Sequence, residues 1–228
     1  MPAVTRTVIR TAAGLLLAGL LCGAAAGCGS DRTSDRTSDR DSGPSATAFA
    51  SLFKGYGADY THVDTPAELA AESALVIEGR IDKVERGRTI GTAVDAPGAS
   101  PTVVVAVTVA RTHLGTLPDR AQSKVYVELS APRGMDISRY ERAAPKQSTV
   151  LLYLAPAPPA TDFPVVDPDA GRPAGQPLYQ PVSPQGFLIE GDRKVMQILM
   201  FTEFDDASLG DFTPGSPHFP HGNHKHGN

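Results

Sequence analysis

The sequence predicts a mainly β fold, one small barrel or sandwich of five to six strands, with one or two short helices ahead of it. Three observations point there. Val103, Val105, Val107 and Val109 occupy alternate positions, as do Val125, Val127 and Leu129, and a period of two puts such residues on one face of a strand. Residues 75–82 alternate around Gly79, a residue that suits a bend or bulge in a curved sheet. Helical signals are confined to the stretch before residue 74, so residues 74–201 read as one β domain rather than two.

Taken in order, the elements have separate causes. Ordered structure is expected beyond Ser45, where residues 46–54 suit a short helix presenting Phe49, Leu52 and Phe53 and stopped by Gly55 and Gly57. Thr65-Pro66-Ala67-Glu68 combines an N-cap threonine, proline at the first helical position and a glutamate placed to close a capping box, so a helix should run to about Ser73. Residues 49–73 are therefore a short helical segment. The first strand, 75–82, ends in a polar, Gly-rich loop. The second covers 102–111, and Leu114-Gly115 turns the chain into the third, 125–129. A fourth, 149–154, is apolar throughout, as a strand buried on both faces would be. Residues 187–190 and 194–201 flank Gly191-Asp192-Arg193 as a hairpin. Between the fourth strand and that hairpin lies a Pro-rich insertion, 155–185, either a functional excursion or a mobile loop. The last segment, 202–228, is expected to be a disordered His-rich tail.

Ahead of the fold stands an export address. Arg6 and Arg10 precede an apolar run with Leu15, Leu16, Leu17, Leu20 and Leu21, and Ala25-Ala26-Gly27-Cys28 places small residues before a thiol. The run is too short to hold about 30 Å of hydrocarbon as a permanent span. The segment resembles the lipobox of bacterial lipoproteins, with Ala25 where that family usually has leucine. The resemblance implies that residues 1–27 are a signal peptide and that Cys28 becomes the acylated first residue, its fatty chains (palmitate among them) anchoring the protein at the outer face of the cytoplasmic membrane. Two acyl chains suffice for lasting attachment at about 0.8 kcal/mol per buried methylene. Cys22 competes poorly, since bulky Leu20 and Leu21 precede it; a plain secretory signal cut near Ala26 is the other reading. Arginine in excess of lysine, with abundant Ala, Gly and Pro, is the usage of a GC-rich genome such as an actinobacterial one.

Residues 28–48 follow as lipidated cysteine and tether. Asp31-Arg32-Thr33-Ser34 and its repeats have nothing apolar to bury, so a hydrated spacer with an end-to-end distance of about 25 Å is expected. Without residues 1–27 the chain keeps 19 basic and 25 acidic residues, a formal charge of −6 against −4 for the whole. That balance excludes a nucleic-acid binder that relies on a basic face. With Cys22 removed and Cys28 acylated, no disulfide can form within the mature chain.

The order of Leu75-Val76-Ile77-Glu78-Gly79-Arg80-Ile81, the valine strand with Leu114-Gly115, the third strand and Val150-Leu151-Leu152-Tyr153-Leu154 looks like bacterial OB-like barrels related to netrin and tissue-inhibitor-of-metalloproteinase modules. The likeness covers about residues 74–154 and implies a fold rather than an activity. In those inhibitors a free amino-terminal cysteine chelates the protease metal; here that cysteine would be acylated, and the disulfides of the family are absent, so inhibition by that route is not expected.

Catalytic chemistry finds little support. Ser51-Leu52-Phe53-Lys54 matches the Ser-x-x-Lys pattern of β-lactam-binding enzymes, but no Lys-Thr-Gly or Ser-Asp-Asn element accompanies it. An exposed serine and lysine on a short helix explain it as well, and no enzyme is expected. Asp167-Pro168-Asp169-Ala170-Gly171 begins like a calcium loop but lacks the later acidic ligands, and reads better as a Pro-rich turn. His218, His221, His224 and His226 crowd the carboxyl terminus, and imidazoles bind zinc, copper or nickel; the cost of ordering a free tail makes such binding weak. His62 and His113 stand alone and receive no role. The expectation is a non-catalytic, membrane-tethered binding or structural module, without a resident cofactor, that meets an envelope protein or small ligand. Metal capture by the histidine tail is the alternative.

Overall fold

The sixteen-residue strand β1 (Leu75–Ile90) organises the molecule, because its length lets it hydrogen-bond to three partners. The computed structural model describes residues 43–54, 60–121 and 123–224, all within one compact unit, Asp39–Asn228. The expected signal peptide, Cys28 and repeat tether lie outside the described residues, as does His226.

Two short helices come first, α1 (Ala46–Ser51), capped by Ser45, and α2 (Pro66–Ala71), which closes the expected capping box between Thr65 and Glu68. After β1 follow β2 (Ser100–Leu114), β3 (Lys124–Ser130), α3 (Ile137–Ala143) and β4 (Thr149–Pro156). Then come β5 (Val165–Val166), β6 (Leu178–Pro181), β7 (Phe187–Gly191), β8 (Lys194–Gln197), β9 (Thr202–Asp205) and β10 (Asn223–His224). The protein is mainly β, as expected, but one mixed sheet of ten strands replaces the five or six anticipated.

Five of those strands close on themselves. β1 pairs with β2, β2 with β3, β3 in parallel with β6, β6 with β4, and β4 again with β1. From β4 the sheet continues outward through β7, β8, β9 and β10, so the whole is not a simple barrel. Inside the circuit lie Ile77, Ile81, Val103, Val105, Val107, Val125, Val127, Val150, Leu152 and Leu154. α3 packs at one end: Tyr140 meets Phe53, whose ring stands edge-on to Phe49 of α1. Alternation alone predicted which valines of β2 face inward. It missed α3, seven residues bounded by Pro132, Gly134 and Pro145.

Gly79 behaves as its position suggested. The β1–β2 register shifts between Glu78 and Gly79, and a Cβ at Gly79 would stand 2.6 Å from both the Thr108 carbonyl oxygen and Val107 Cγ1. A backbone oxygen cannot swing away, so Gly79→Ala should cost about 1–3 kcal/mol in urea unfolding. A variant as stable as the parent would show that the bulge relaxes freely.

Three boundaries need correction. β1 runs on to Ile90, through residues read as loop, because Val84 packs into the core while Gly87, Arg88 and Thr89 are covered by later chain. The Pro-rich insertion is no bare loop: β5 adds to Thr89 and Ile90, and β6 closes the circuit between β3 and β4. The tail, expected to be disordered over 202–228, is built as far as His224. β8 ends at Gln197, Phe201 takes a left-handed φ of 55°, and β9 returns antiparallel to β8. A turn at Leu209–Phe212 then buries Leu209 and Phe212, and β10 pairs with β9. The reason is β4: Leu151 and Tyr153 point away from the first core, and with Val76, Leu188 and Val195 they need a cover. Leu69 of α2, Phe204, Leu209 and Phe212 supply it.

Candidate functional site

Two places on this framework hold chemistry. The first is the outer face of β2 and β3, where Val104, Ala106 and Tyr126 alternate with the inward valines and are buried with Leu178. Glu128 stands opposite Val104 in the ladder and receives a two-point bond from Arg88, Nε to Oε1 at 2.8 Å and Nη2 to Oε2 at 2.9 Å. Both side chains are buried, 3% and 6% exposed. Thr102 Oγ1 lies within hydrogen-bond reach of Glu128 Oε1 and donates to the Arg88 carbonyl. Phe163 covers the guanidinium at 5.5 Å.

The Pro-rich segment carries Phe163 and is cross-linked by its own hydrogen bonds. Arg172 Nε donates to the Gln176 carbonyl and Nη1 to that of Pro168, both at 2.8 Å, while Nη2 pairs with Asp169 at 3.2 Å. Gly171, at φ +79°, lies so close to β2 that a Cβ would be 2.7 Å from Val104 Cβ. The resemblance of 167–171 to a calcium loop ends there, since Asp169 is already engaged by Arg172. This face is occupied by the protein's own chain.

The second place is open. A cleft of about 430 Å³ lies between the segment before α2 and the chain leading into β10, and His62, Asp64, His218 and His221 line it. Its floor is polar and fixed. Gln185, fully buried, accepts from Val63 N–H through Oε1 and donates to the Val63 carbonyl through Nε2, each at 3.0 Å. Gln197 Nε2 donates to the Gln185 carbonyl at 3.3 Å. One glutamine thus pins the backbone next to His62 from both sides.

The opposite wall is held by aromatics. Phe212 meets Phe204 edge-on at 4.8 Å and Phe219 at 6.1 Å. Gly222 is wedged against Thr202 and Phe204, where a Cβ would come within 2.5 Å of Thr202 Cγ2. Tyr153 donates its hydroxyl to the Phe212 carbonyl, and burial raises its pKa, so it stays a donor. Ser208 N–H and Oγ bond Asp211, which holds that carboxyl below its ordinary range and closes the turn carrying Phe212.

Of the four tail histidines singled out in the sequence, His218 and His221 line the cleft, His224 stands in β10 opposite Thr202, and His226 lies outside the described residues. Among the described residues, no group of three or more His, Cys, Asp or Glu side chains could hold a metal ion. His62, given no role from the sequence, is brought to the same cleft from the other end of the fold. Its isolation in the chain left no local signal. His113 lies elsewhere, its Nε2 3.5 Å from Glu78 Oε2 across β1 and β2. Ser51 Oγ donates to the Ala48 carbonyl at 2.7 Å, a helix-end bond.

A scan of protein-family models finds no match to the chain, and a search of curated proteins finds none either.

Proposed function

We propose that the chain is an exported lipoprotein, held at the outer face of the cytoplasmic membrane through Cys28, that presents an OB-like barrel with a four-strand extension as a non-catalytic binding module. The closed β1–β2–β3–β6–β4 circuit with α3 between β3 and β4 supports the OB-like reading. The observation that carries the binding role is the cleft at 62–64 and 218–222, a concave, polar-floored site open to solvent, while the outer β2–β3 face is covered by residues of the same chain. Its partner is an envelope component or small ligand.

Two measurements test the proposal. Intact mass of the protein from a lipoprotein-processing bacterium should show a chain beginning at Cys28 with diacylglyceryl and acyl additions, and Cys28→Ser should lose them. A photo-crosslinker at Phe219 should trap an envelope component that the same group at Val94, an exposed residue that does not line the cleft, does not. An unmodified terminus or an intact leader sinks the anchor, and equal crosslinks from both positions sink the cleft.

A further inference from the structure

We infer that the face formed by α3 and the loop before β2 docks on anionic phospholipid headgroups, with Val94 set into the membrane surface and Arg86, Arg133, Arg139, Arg142 and Lys146 meeting the phosphates. The inference goes beyond the cleft and rests on the reading of the chain as anchored through Cys28.

Two large hydrophobic side chains are exposed among the described residues, Val94 at 54% and Leu114 at 39%. A single exposed valine needs no cover, but Val94 stands at the rim of a basic hollow. That hollow, about 340 Å³, is lined by Arg86, Arg133 and Met135, with Asp95 as its one acidic group. Arg133 Nε donates to the Ala99 carbonyl at 3.1 Å, which fixes the side chain against the loop and spends one of its five donors. Arg86 is exposed and makes no side-chain hydrogen bond or ion pair among the described residues. Asp95 pairs with neither arginine, so both forks keep their charge for an outside phosphate.

The basic character continues along α3. Residues 133–146 hold Arg133, Arg139, Arg142 and Lys146 against Asp136 and Glu141, in a mature chain of formal charge −6. All four basic side chains are exposed. Asp136 is committed to the helix cap, accepting from Ser138 N–H at 3.0 Å and Ser138 Oγ at 2.8 Å. Arg139 and Arg142, three positions apart, share one side of the helix.

The point where the anchored chain enters the fold lies on the same element. Ser45 N–H donates to the Ala143 carbonyl at 3.2 Å, at the carboxyl end of α3. The seven residues of α3, about 10 Å of helix, separate that bond from the Arg133 end. A tether expected to span about 25 Å keeps this face within reach of the headgroups. Each basic side chain near an anionic surface improves partitioning by about fivefold. That gain is weak for a free protein, but it decides the orientation of one already held at the membrane, where docking is an intramolecular step.

The test uses the acylated full-length product carrying Val94→Cys, labelled with nitrobenzoxadiazole and reconstituted into vesicles of phosphatidylcholine alone or mixed with phosphatidylglycerol. With Cys28 acylated, the introduced cysteine is the free thiol. The probe should brighten and shift to the blue with phosphatidylglycerol, remain in water with phosphatidylcholine alone, and return to water in high salt. The same probe at Leu114→Cys, at the other end of the fifteen-residue β2, should stay in water in both. Arg86→Gln with Arg133→Gln, and separately Arg139→Gln with Arg142→Gln, should each lower the docked-to-free ratio by at least about tenfold, whereas Arg111→Gln, also exposed, should change it by less than threefold. Circular dichroism verifies that these surface variants fold. A Val94 probe that stays in water, one that responds equally to both lipids, or an Arg111→Gln loss equal to that of the paired variants overturns the inference. Intact mass of the same preparation separates the two failures: an acylated chain with an undocked probe leaves the anchor standing and removes the docking, while a chain without acyl groups removes both.

Discussion

Glu128→Ala should destabilise the protein by about 3–5 kcal/mol, a large share of the roughly 5–15 kcal/mol that holds a domain folded. The loss comes less from the bond removed than from the charge left behind. Arg88, 3% exposed, would keep its guanidinium beneath Phe163 with no carboxylate to meet it. Replacing both members, Arg88→Met with Glu128→Leu, should recover most of the loss, because apolar groups of similar volume remove the desolvation cost with the attraction. Urea unfolding of the two single variants and the double variant measures this directly. Partial proteolysis should also cut the Pro-rich segment faster in Glu128→Ala, since Phe163 lies over the guanidinium and β5 pairs with Thr89 beside it. A single-variant loss under about 1 kcal/mol would match an exposed pair and would mean that water reaches this one.

Phe212→Ala should cost about 3–5 kcal/mol and dismantle the cleft. The ring is fully buried in the second core, edge-on to Phe204 and in contact with Phe219. Its removal leaves a cavity under β4 and deprives the segment bearing His218 and His221 of its seat. Pair geometry adds about 0.5–1.5 kcal/mol for an aromatic contact beyond area burial. The expected sign is a lower unfolding midpoint together with protease cleavage beyond β9, at concentrations that leave the parent intact. If the variant unfolds earlier but its last twenty or so residues stay protected, the β10–β9 pairing rather than the aromatic stack anchors the wall.

Much of the framework was legible in residue order because its causes are local. Thr65, Pro66 and Glu68 carry their capping box within four positions, and the structure forms it. Val103, Val105 and Val107 face one core because a strand alternates, and Gly79 marks a bulge because its neighbour strand leaves no room for a side chain. β4 was readable as buried on both faces from its unbroken apolar run. What covers its second face was not, since Phe204, Leu209 and Phe212 are short apolar notes in a polar stretch with no helical or strand period.

The candidate site shows the same division more sharply. His218 and His221 were visible as histidines crowded near the terminus, but a ligand-rich segment without a second wall is only a solvated tail. His62 had no pattern of its own, and Gln185, inside a Pro-rich run, gave no hint that it would clamp Val63.

By itself, then, residue order determined the strand-rich class, the two short helices and the capping box of the second, the bulge and the inward faces of β2 and β3, because alternation, capping and glycine sterics act over a few neighbouring positions. Tertiary structure alone decided that the Pro-rich stretch lies over a buried Arg88–Glu128 pair and that the carboxyl-terminal segment folds back over β4 to face His62. Those outcomes follow from the need to cover apolar strand surface and to pair buried charge, and both demands are met by whichever distant segment fits.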